Sequence, residues 1–330
     1  MKILFRVLGV DSSHEPLNRL VRTVSLCVTL LVLGSGIEQS VQAGTVGRSA
    51  TSSQPTARST PLLLAQAITP GRDRTNTRVR VRGNRIDIDG GTRSRDGANL
   101  FHSFERFGLS RNQIANFLAN PQIRNILGRV TGGEVSRING LIRVTGGNAN
   151  LFLLNPAGII FGSNARLDVA GDFTATTADR VGFGDRWLSA LGNADYANLL
   201  GNPNAFAFTS AQPGAILNDG SLAVAAGQTL NLIGGTVVNT GTLSAPGGQI
   251  IVTAVPGTNR VEIRQQGTLL VLEVQPLDAS DLANPLPFTP ESLPTVLTGG
   301  SDTPATGVMV NPDGTVQLTA SNTVIPKPAP

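Results

Sequence analysis

The chain of 330 residues holds one cysteine, and Cys27 lies within the apolar run at residues 24–33. Removal of that run leaves a mature chain that no disulfide can lock in an oxidising compartment. Histidine is nearly as scarce: after His14 there is only His102, in Phe101-His102-Ser103-Phe104. A zinc site or a Ser-His-Asp arrangement needs partners at a recognisable spacing, and His102 has none. It reads as a packing residue, and no metal or other cofactor is implied. Aromatic residues make up 4% of the chain, with a single Trp and a single Tyr. That is too few for a thick globular core. Beyond the amino-terminal run no segment nears the roughly 18 apolar residues of a membrane-spanning helix, so no transmembrane segment is expected after signal cleavage.

What the chain has in quantity is glycine, at 38 residues, and proline, at 20. That composition favours many turns over long elements. The net charge is +4, from 26 basic and 22 acidic residues. The excess is local, because eight arginines fall within residues 72–95, opposed by Asp73, Asp87 and Asp89. No aromatic is interleaved with them, which argues against a nucleic-acid partner.

Residues 1–43 have the layout of a signal peptide: Lys2, Arg6, Arg19 and Arg22, then the apolar run, then the small-residue site Val41-Gln42-Ala43. A lipidated cysteine would follow the run, whereas Cys27 is inside it. Residues 44–69, rich in Ser, Thr, Ala and Gln, form a flexible lead-in. Arg-Val-Arg-Val-Arg, Gly83-Asn84 and Arg-Ile-Asp-Ile-Asp then spell a hairpin. Its register places Val81 opposite Ile86, Val79 opposite Ile88, Arg80 opposite Asp87 and Arg78 opposite Asp89. This pairing explains most of the arginine cluster without an acidic ligand. With Phe101, Phe104 and Phe107 after it, the hairpin is the candidate cap of a larger sheet assembly.

Residues 110–120 and 121–127 carry apolar side chains at helical spacing, as do residues 187–200, and short peripheral helices are expected there. Residues 130–185 have no room for a helix. The apolar runs at 151–154 and 159–161 read as short strands buried on two faces, separated by Asn155-Pro156-Ala157-Gly158, an order that suits a type I turn. Ala165, Leu167 and Val169 alternate with Arg166 and Asp168 as in a half-exposed strand. Later, Leu217-Asn218-Asp219-Gly220-Ser221-Leu222 returns as Val238-Asn239-Thr240-Gly241-Thr242-Leu243, offset by 21 residues. Asn218 and Asn239 would then share a corner, where amides can stack as a ladder. Short strands, a turn after each and a coil-length repeat describe an all-β, right-handed parallel β-helix over residues 70–275. Gln266-Gly267-Thr268-Leu269 reads as the start of a further coil. Residues 276–306 are Pro-rich and irregular, and residues 307–330 hold a last strand pair and a Pro-rich tail.

Leu100-Phe101-His102-Ser103-Phe104, Arg129-Val130-Thr131-Gly132-Gly133, Asn139-Gly140-Leu141-Ile142 and Asn155-Pro156-Ala157-Gly158-Ile159 resemble the amino-terminal secretion domain of filamentous-haemagglutinin-type exoproteins. The last of these is similar to the family's Asn-Pro-Asn-Gly-Ile motif, with Ala157 in place of the second Asn. The resemblance implies a two-partner system. The chain would be recognised in the periplasm by a dedicated outer-membrane β-barrel transporter with periplasmic repeats, cross unfolded with its amino end first, and fold outside. Asn155 to Ile159 are then the expected secretion motif, and Asn139, Gly140, Leu141 and Ile142 a secondary family motif. A surface or adhesin-type role, with host or surface glycans or proteins as ligands, is the family-level expectation.

Two other readings remain. Parallel β-helices also house polysaccharide-active enzymes, which gather carboxylates on one face. Here only Asp168, Asp172, Asp179 and Asp185 lie close in sequence, and their spacing matches no coil. No catalytic set is expected. The chain could also be a truncated exoprotein that keeps only its secretion domain.

Overall fold

A computed structural model describes residues 68–255, 257–266, 269–277 and 286–291, with the backbone strands Gly307–Val310, Val316–Thr319 and Thr323–Ile325. The segment read as a signal peptide, nearly all of that read as a lead-in and most of the Pro-rich segment lie outside the described residues.

The described chain is a parallel β-solenoid of about six turns. Its first face stacks Asn99–Arg106, Asn125–Val130, Asn150–Leu154, Phe173–Thr176, Thr229–Gly234 and Gln249–Ala254 in parallel. The second stacks Arg85–Gly90, Ile114–Leu118, Leu141–Thr145, Arg166–Asp168, Ser221–Ala223 and Thr242–Ser244. The third face begins only at Ser136–Ile138 and continues through Ile159–Phe161, Ala215–Asn218 and Thr236–Asn239. The 21-residue repeat sets the last register, with Leu217 opposite Val238 and Leu222 opposite Leu243.

Alternation along each strand sends every second side chain inward. Ile86, Ile88, Ala115, Phe117, Leu151, Leu153, Ile159 and Phe161 build one core inside the solenoid. Each buried Leu, Ile or Phe contributes about 1.5–3 kcal/mol. The first face is buried on its outer side too, because Phe101, Leu127, Phe152 and Leu154 pack in a second core with Val181, Phe183, Leu188, Phe206 and Phe208. Those partners belong to an antiparallel sheet that leaves the solenoid after Thr176. It comprises Arg180–Phe183, Arg186–Ser189 and Ala205–Phe208, joined later by Asn259–Gln266 and Leu269–Pro276.

The amino-terminal edges are covered. Thr77–Arg82 pairs antiparallel with Arg85–Gly90, in the register read from the sequence, and so closes the second face. Thr69–Pro70 and Thr92–Arg93 lie antiparallel on Asn99–Arg106 and close the first.

Three expectations are corrected. The stretches read as helices at 110–127 are strands of two faces, Ile114–Leu118 and Asn125–Val130. Double-sided burial of Ile126 and Leu127, in different cores, imitates helical spacing. In place of a helix at 187–200 there is the end of the strand Arg186–Ser189 and one 3-10 turn, Tyr196–Asn198. Residues 266–269 start no further coil: Gln266 pairs with Leu269 in an antiparallel hairpin, so the parallel stack ends with Gln249–Ala254. At the carboxyl end the expected strand pair is a three-stranded antiparallel sheet, with Val308 opposite Leu318 and Gln317 opposite Val324.

Candidate functional site

Asn155 ends a first-face strand, and the chain must turn sharply there to reach the third face. The Gly158 amide donates to the Asn155 carbonyl at 3.1 Å, which closes a four-residue turn. Asn155 Oδ1 accepts from the Ala157 amide at 3.0 Å, and its Nδ2 donates to the Glu134 carbonyl and to Ser136 Oγ, each at 2.9 Å. The Asn155 amide reaches the Thr176 carbonyl in the next coil at 3.0 Å. One side chain therefore ties its turn to the coil before, while its backbone ties it to the coil after. Gly158 sits at φ +128°, a conformation open in practice only to glycine.

All four turn residues are buried, Asn155 to 0% and Ala157 to 1% exposure. The cover is the returning end of the antiparallel excursion. Thr177 Oγ1 donates to the Gly214 carbonyl at 2.7 Å, and a Cβ on Gly158 would meet the Ala215 carbonyl oxygen at 3.3 Å.

Asn139 to Ile142 form the corner between the third and second faces. The Asn139 amide donates to the Leu109 carbonyl at 2.8 Å, and Asn139 Oδ1 accepts from the Asn164 amide at 2.9 Å in the following coil. A Cβ on Gly140 would stand 2.4 Å from the Gln113 carbonyl oxygen, so glycine alone fits. Leu141 is half-buried on the outer side, while Ile142 enters the core. At the last coils Asn218 Nδ2 donates to Asn239 Oδ1 at 2.7 Å.

A longer ladder escaped the sequence reading. Asn125 Nδ2 donates to Asn99 Oδ1 at 2.8 Å, Asn150 Nδ2 donates to Asn125 Oδ1 at 3.0 Å, and Asn150 Oδ1 accepts from the Asp172 amide at 2.9 Å. Its signal is an Asn immediately before each apolar run, in Asn99-Leu100, Asn125-Ile126 and Asn150-Leu151.

Arg129 was legible only as part of a family stretch, yet its side chain is 2% exposed and joins three elements. Its guanidinium donates to the Ser189 carbonyl at 2.7 Å, the Gly192 carbonyl at 2.8 Å and Asp73 Oδ2 at 2.8 Å, and it lies over the Tyr196 ring. Burial alone would raise the Asp73 carboxyl, but the nearby Ser103 hydroxyl and hydrogen bonds from Thr75 and Arg129 outweigh it and hold the group near 2. Burial pushes the Tyr196 phenol up to about 12, against the pull of Arg129.

His102 is buried between Phe104 and Phe117, with Nδ1 3.4 Å from Thr77 Oγ1. Burial lowers its imidazole to about 4, which the Asp89 charge only partly offsets. The carboxylates considered for catalysis do not meet. Asp168 pairs with Arg143 at 2.6 Å on the second face, Asp172 accepts the Thr229 amide at 2.7 Å, and Asp185 is exposed in an excursion turn. Asp179 is buried, which raises its carboxyl although Thr209 donates two hydrogen bonds to it. Among the described residues no group of three or more His, Cys, Asp or Glu could hold a metal ion, and no helix is long and apolar enough to cross a membrane.

No curated protein matches the chain. Among solved structures it is similar to the HMW1 secretion domain from Haemophilus influenzae, with 25% identity over 63% of this chain and 48% of that one, and a TM-score of 0.45. It is also similar to the filamentous hemagglutinin secretion domain, with 19% identity over 62% of this chain and 68% of that one, and a TM-score of 0.39. The chain thus spans about half the length of the HMW1 structure. The TPS secretion domain family matches residues 65–282, more than half of the sequence. With its solenoid and capped edge already in view, the chain belongs to the two-partner secretion domain family.

Proposed function

We propose that this chain is a non-catalytic exoprotein whose secretion domain is read by an outer-membrane β-barrel transporter while unfolded, with Asn155, Pro156, Ala157, Gly158 and Ile159 as the export motif and Asn139 to Ile142 as a secondary one. One observation carries the reading: the four turn residues are buried in the folded domain. A transporter that uses them must meet them before the coil closes and the excursion returns over them. Folding outside then hides the motif and biases the chain against sliding back. A solenoid suits this route, since each coil adds its interface to the coil already formed as the chain emerges. The mature protein would reside at or beyond the cell surface in an adhesin-type role.

The test is secretion. Replacing Asn155 and Pro156 by Ala removes three side-chain hydrogen bonds and a fixed φ. With the transporter co-expressed and periplasmic amounts matched, less variant than parent should reach the medium, while the refolded variant keeps most of its β-sheet signal. Equal secretion would reduce the motif to a structural corner.

A further inference from the structure

The capping hairpin does more than close an edge. Its outward side carries Arg78, Arg80 and Arg82 on one strand and Arg85, Asp87 and Asp89 on the other, because Ile86 and Ile88 turn inward to the core. The four arginines share two carboxylates. Asp89 lies 3.1 Å from Arg78 Nε and 2.6 Å from Arg80 Nη1, while Asp87 lies 2.9 Å from Arg85 Nε and 3.6 Å from Arg82 Nε. The carboxylates sit beneath: Asp87 is 6% exposed and donated to by Asn116 Nδ2, and Asp89 is 18% exposed. The guanidinium groups lie on top, at 65% for Arg78, 52% for Arg80, 63% for Arg82 and 44% for Arg85. Solvent therefore meets cations whose counter-charges are covered. Arg78 and Arg82 face their carboxylates through Nε, so their terminal amino groups make no hydrogen bond among the described residues.

Below the hairpin the same face is mixed, so the cationic surface is the hairpin's own. Arg85, Ile114, Leu141 and Arg166 stand in one column of the register, and Asp87, Asn116, Arg143 and Asp168 in the next, with Arg143 paired to Asp168. Residues two apart along a strand stand about 7 Å apart, and neighbouring strands about 4.8 Å. On the hairpin the result is a flat patch of four forked donors at intervals suited to a regularly charged chain. A guanidinium binds sulfate or carboxylate through two parallel N–H bonds, which a bare charge patch would not favour over any other anion.

We propose that the outward side of this hairpin binds a linear acidic polysaccharide, with the terminal amino groups of Arg78 and Arg82 gripping its sulfate or carboxylate groups and Arg80 and Arg85 supplying the surrounding field. The chemistry of the surface favours this occupant over two others. Single-stranded nucleic acid needs stacking aromatics, and the hairpin has none. Attachment to a bilayer gains most of its strength from inserted apolar side chains, and Val81 is the one large exposed apolar residue of the hairpin. The inference rests on the non-catalytic surface role proposed above but not on the export motif, since purified full-length protein tests it without a transporter.

The experiment measures binding of that protein to heparin and to polygalacturonate, with neutral dextran, anionic phosphatidylglycerol vesicles and single-stranded DNA as comparisons. The parent should bind at least one acidic polysaccharide and bind it more tightly than any comparison. The double substitution Arg78→Gln, Arg82→Gln leaves Asp89 with Arg80 and Asp87 with Arg85, so the hairpin keeps an ion pair on each carboxylate. It should weaken binding by about tenfold and make the salt dependence of log affinity shallower by about two, one for each lost cation. Arg106→Gln, an exposed arginine paired with Glu134 away from the hairpin, should leave binding unchanged. Overturning results are a parent that binds neither acidic polysaccharide, a parent that prefers vesicles or DNA, or a double variant with unchanged melting and unchanged affinity.

Discussion

A Cβ on Gly214 would stand 2.4 Å from the carbonyl oxygen of Pro156. The return of the excursion thus presses backbone against the candidate export motif, with space for no side chain. Gly214→Ala should force the two segments apart and lower stability by about 1–3 kcal/mol. Urea melts should show the loss, and limited proteolysis should find new cleavage near residues 155–158. On the proposed route the contact forms after crossing, so export should be unimpaired. Unchanged stability would mean that the cover is not held there.

The asparagine ladder makes a graded prediction. Asn125 is fully buried, and its amide serves Asn99, Asn150 and Asn202 at once. Asn125→Ala leaves buried amide groups unmatched and should cost about 1–3 kcal/mol. Asn125→Asp should cost more, because its carboxylate would face Asn99 Oδ1 and Asn202 Oδ1 with no proton to give. Asn239→Ala, on the exposed last coil, should cost least. Chemical denaturation that ranked the three otherwise would remove the ladder as a stabilising device.

Arg129 offers a sharper test of how the excursion is held. Lysine keeps the charge but cannot reach two carbonyls and a carboxylate from a planar fork. Arg129→Lys should therefore destabilise, and Arg129→Ala should cost about 3–5 kcal/mol by stranding Asp73 and two buried carbonyls. In both variants hydrogen exchange should quicken first at Ser189 to Gly192. Uniform loosening of the solenoid instead would place the role of Arg129 elsewhere.

Which features were legible follows from how local their causes are. The hairpin could be read from Arg78 to Asp89 because strand alternation and a two-residue loop set every pair within twelve residues of chain. The late coils could be read because Leu222 and Leu243 end similar hexapeptides that share Asn, Gly and Leu at the same places. The helix expected at 121–127 failed because a face buried on both sides loses its period of two. The long ladder was hidden by coils of unequal length, 26 and then 25 residues, against 21 later. Arg129 was opaque for another reason: two of its acceptors are backbone carbonyls 60 and 63 residues away, which no side chain announces. At the candidate site, Asn-Pro-Ala-Gly spells a turn, but the strand return that buries it lies beyond an excursion that local pattern does not reveal. The export role comes from resemblance, not from turn chemistry.

Acid should loosen the cap before it loosens the rest. His102 is neutral in the folded protein, with its pKa lowered to about 4 by burial, against about 6.5 in an unfolded chain. Between those values the unfolded state binds the proton and the folded state does not, so stability rises with pH across the window and falls as pH drops from 6.5 towards 4. Taking pH 7 to 4.5, the loss from this residue is about 2–3 kcal/mol. Asp73, held near 2, adds its own loss only below its ordinary value of 3.8, so it is silent in that range. Asp179, raised by burial, works the other way: its folded form takes up a proton more readily, which stabilises on acidification and offsets part of the loss. His102→Gln removes the titrating ring while keeping a polar group near Thr77. Urea melts of both proteins at pH 7 and pH 4.5 should show a smaller drop for the variant, and the parent's near-ultraviolet signal from the buried phenylalanines should fade first. Equal drops in parent and variant would assign the acid sensitivity to the carboxylates instead.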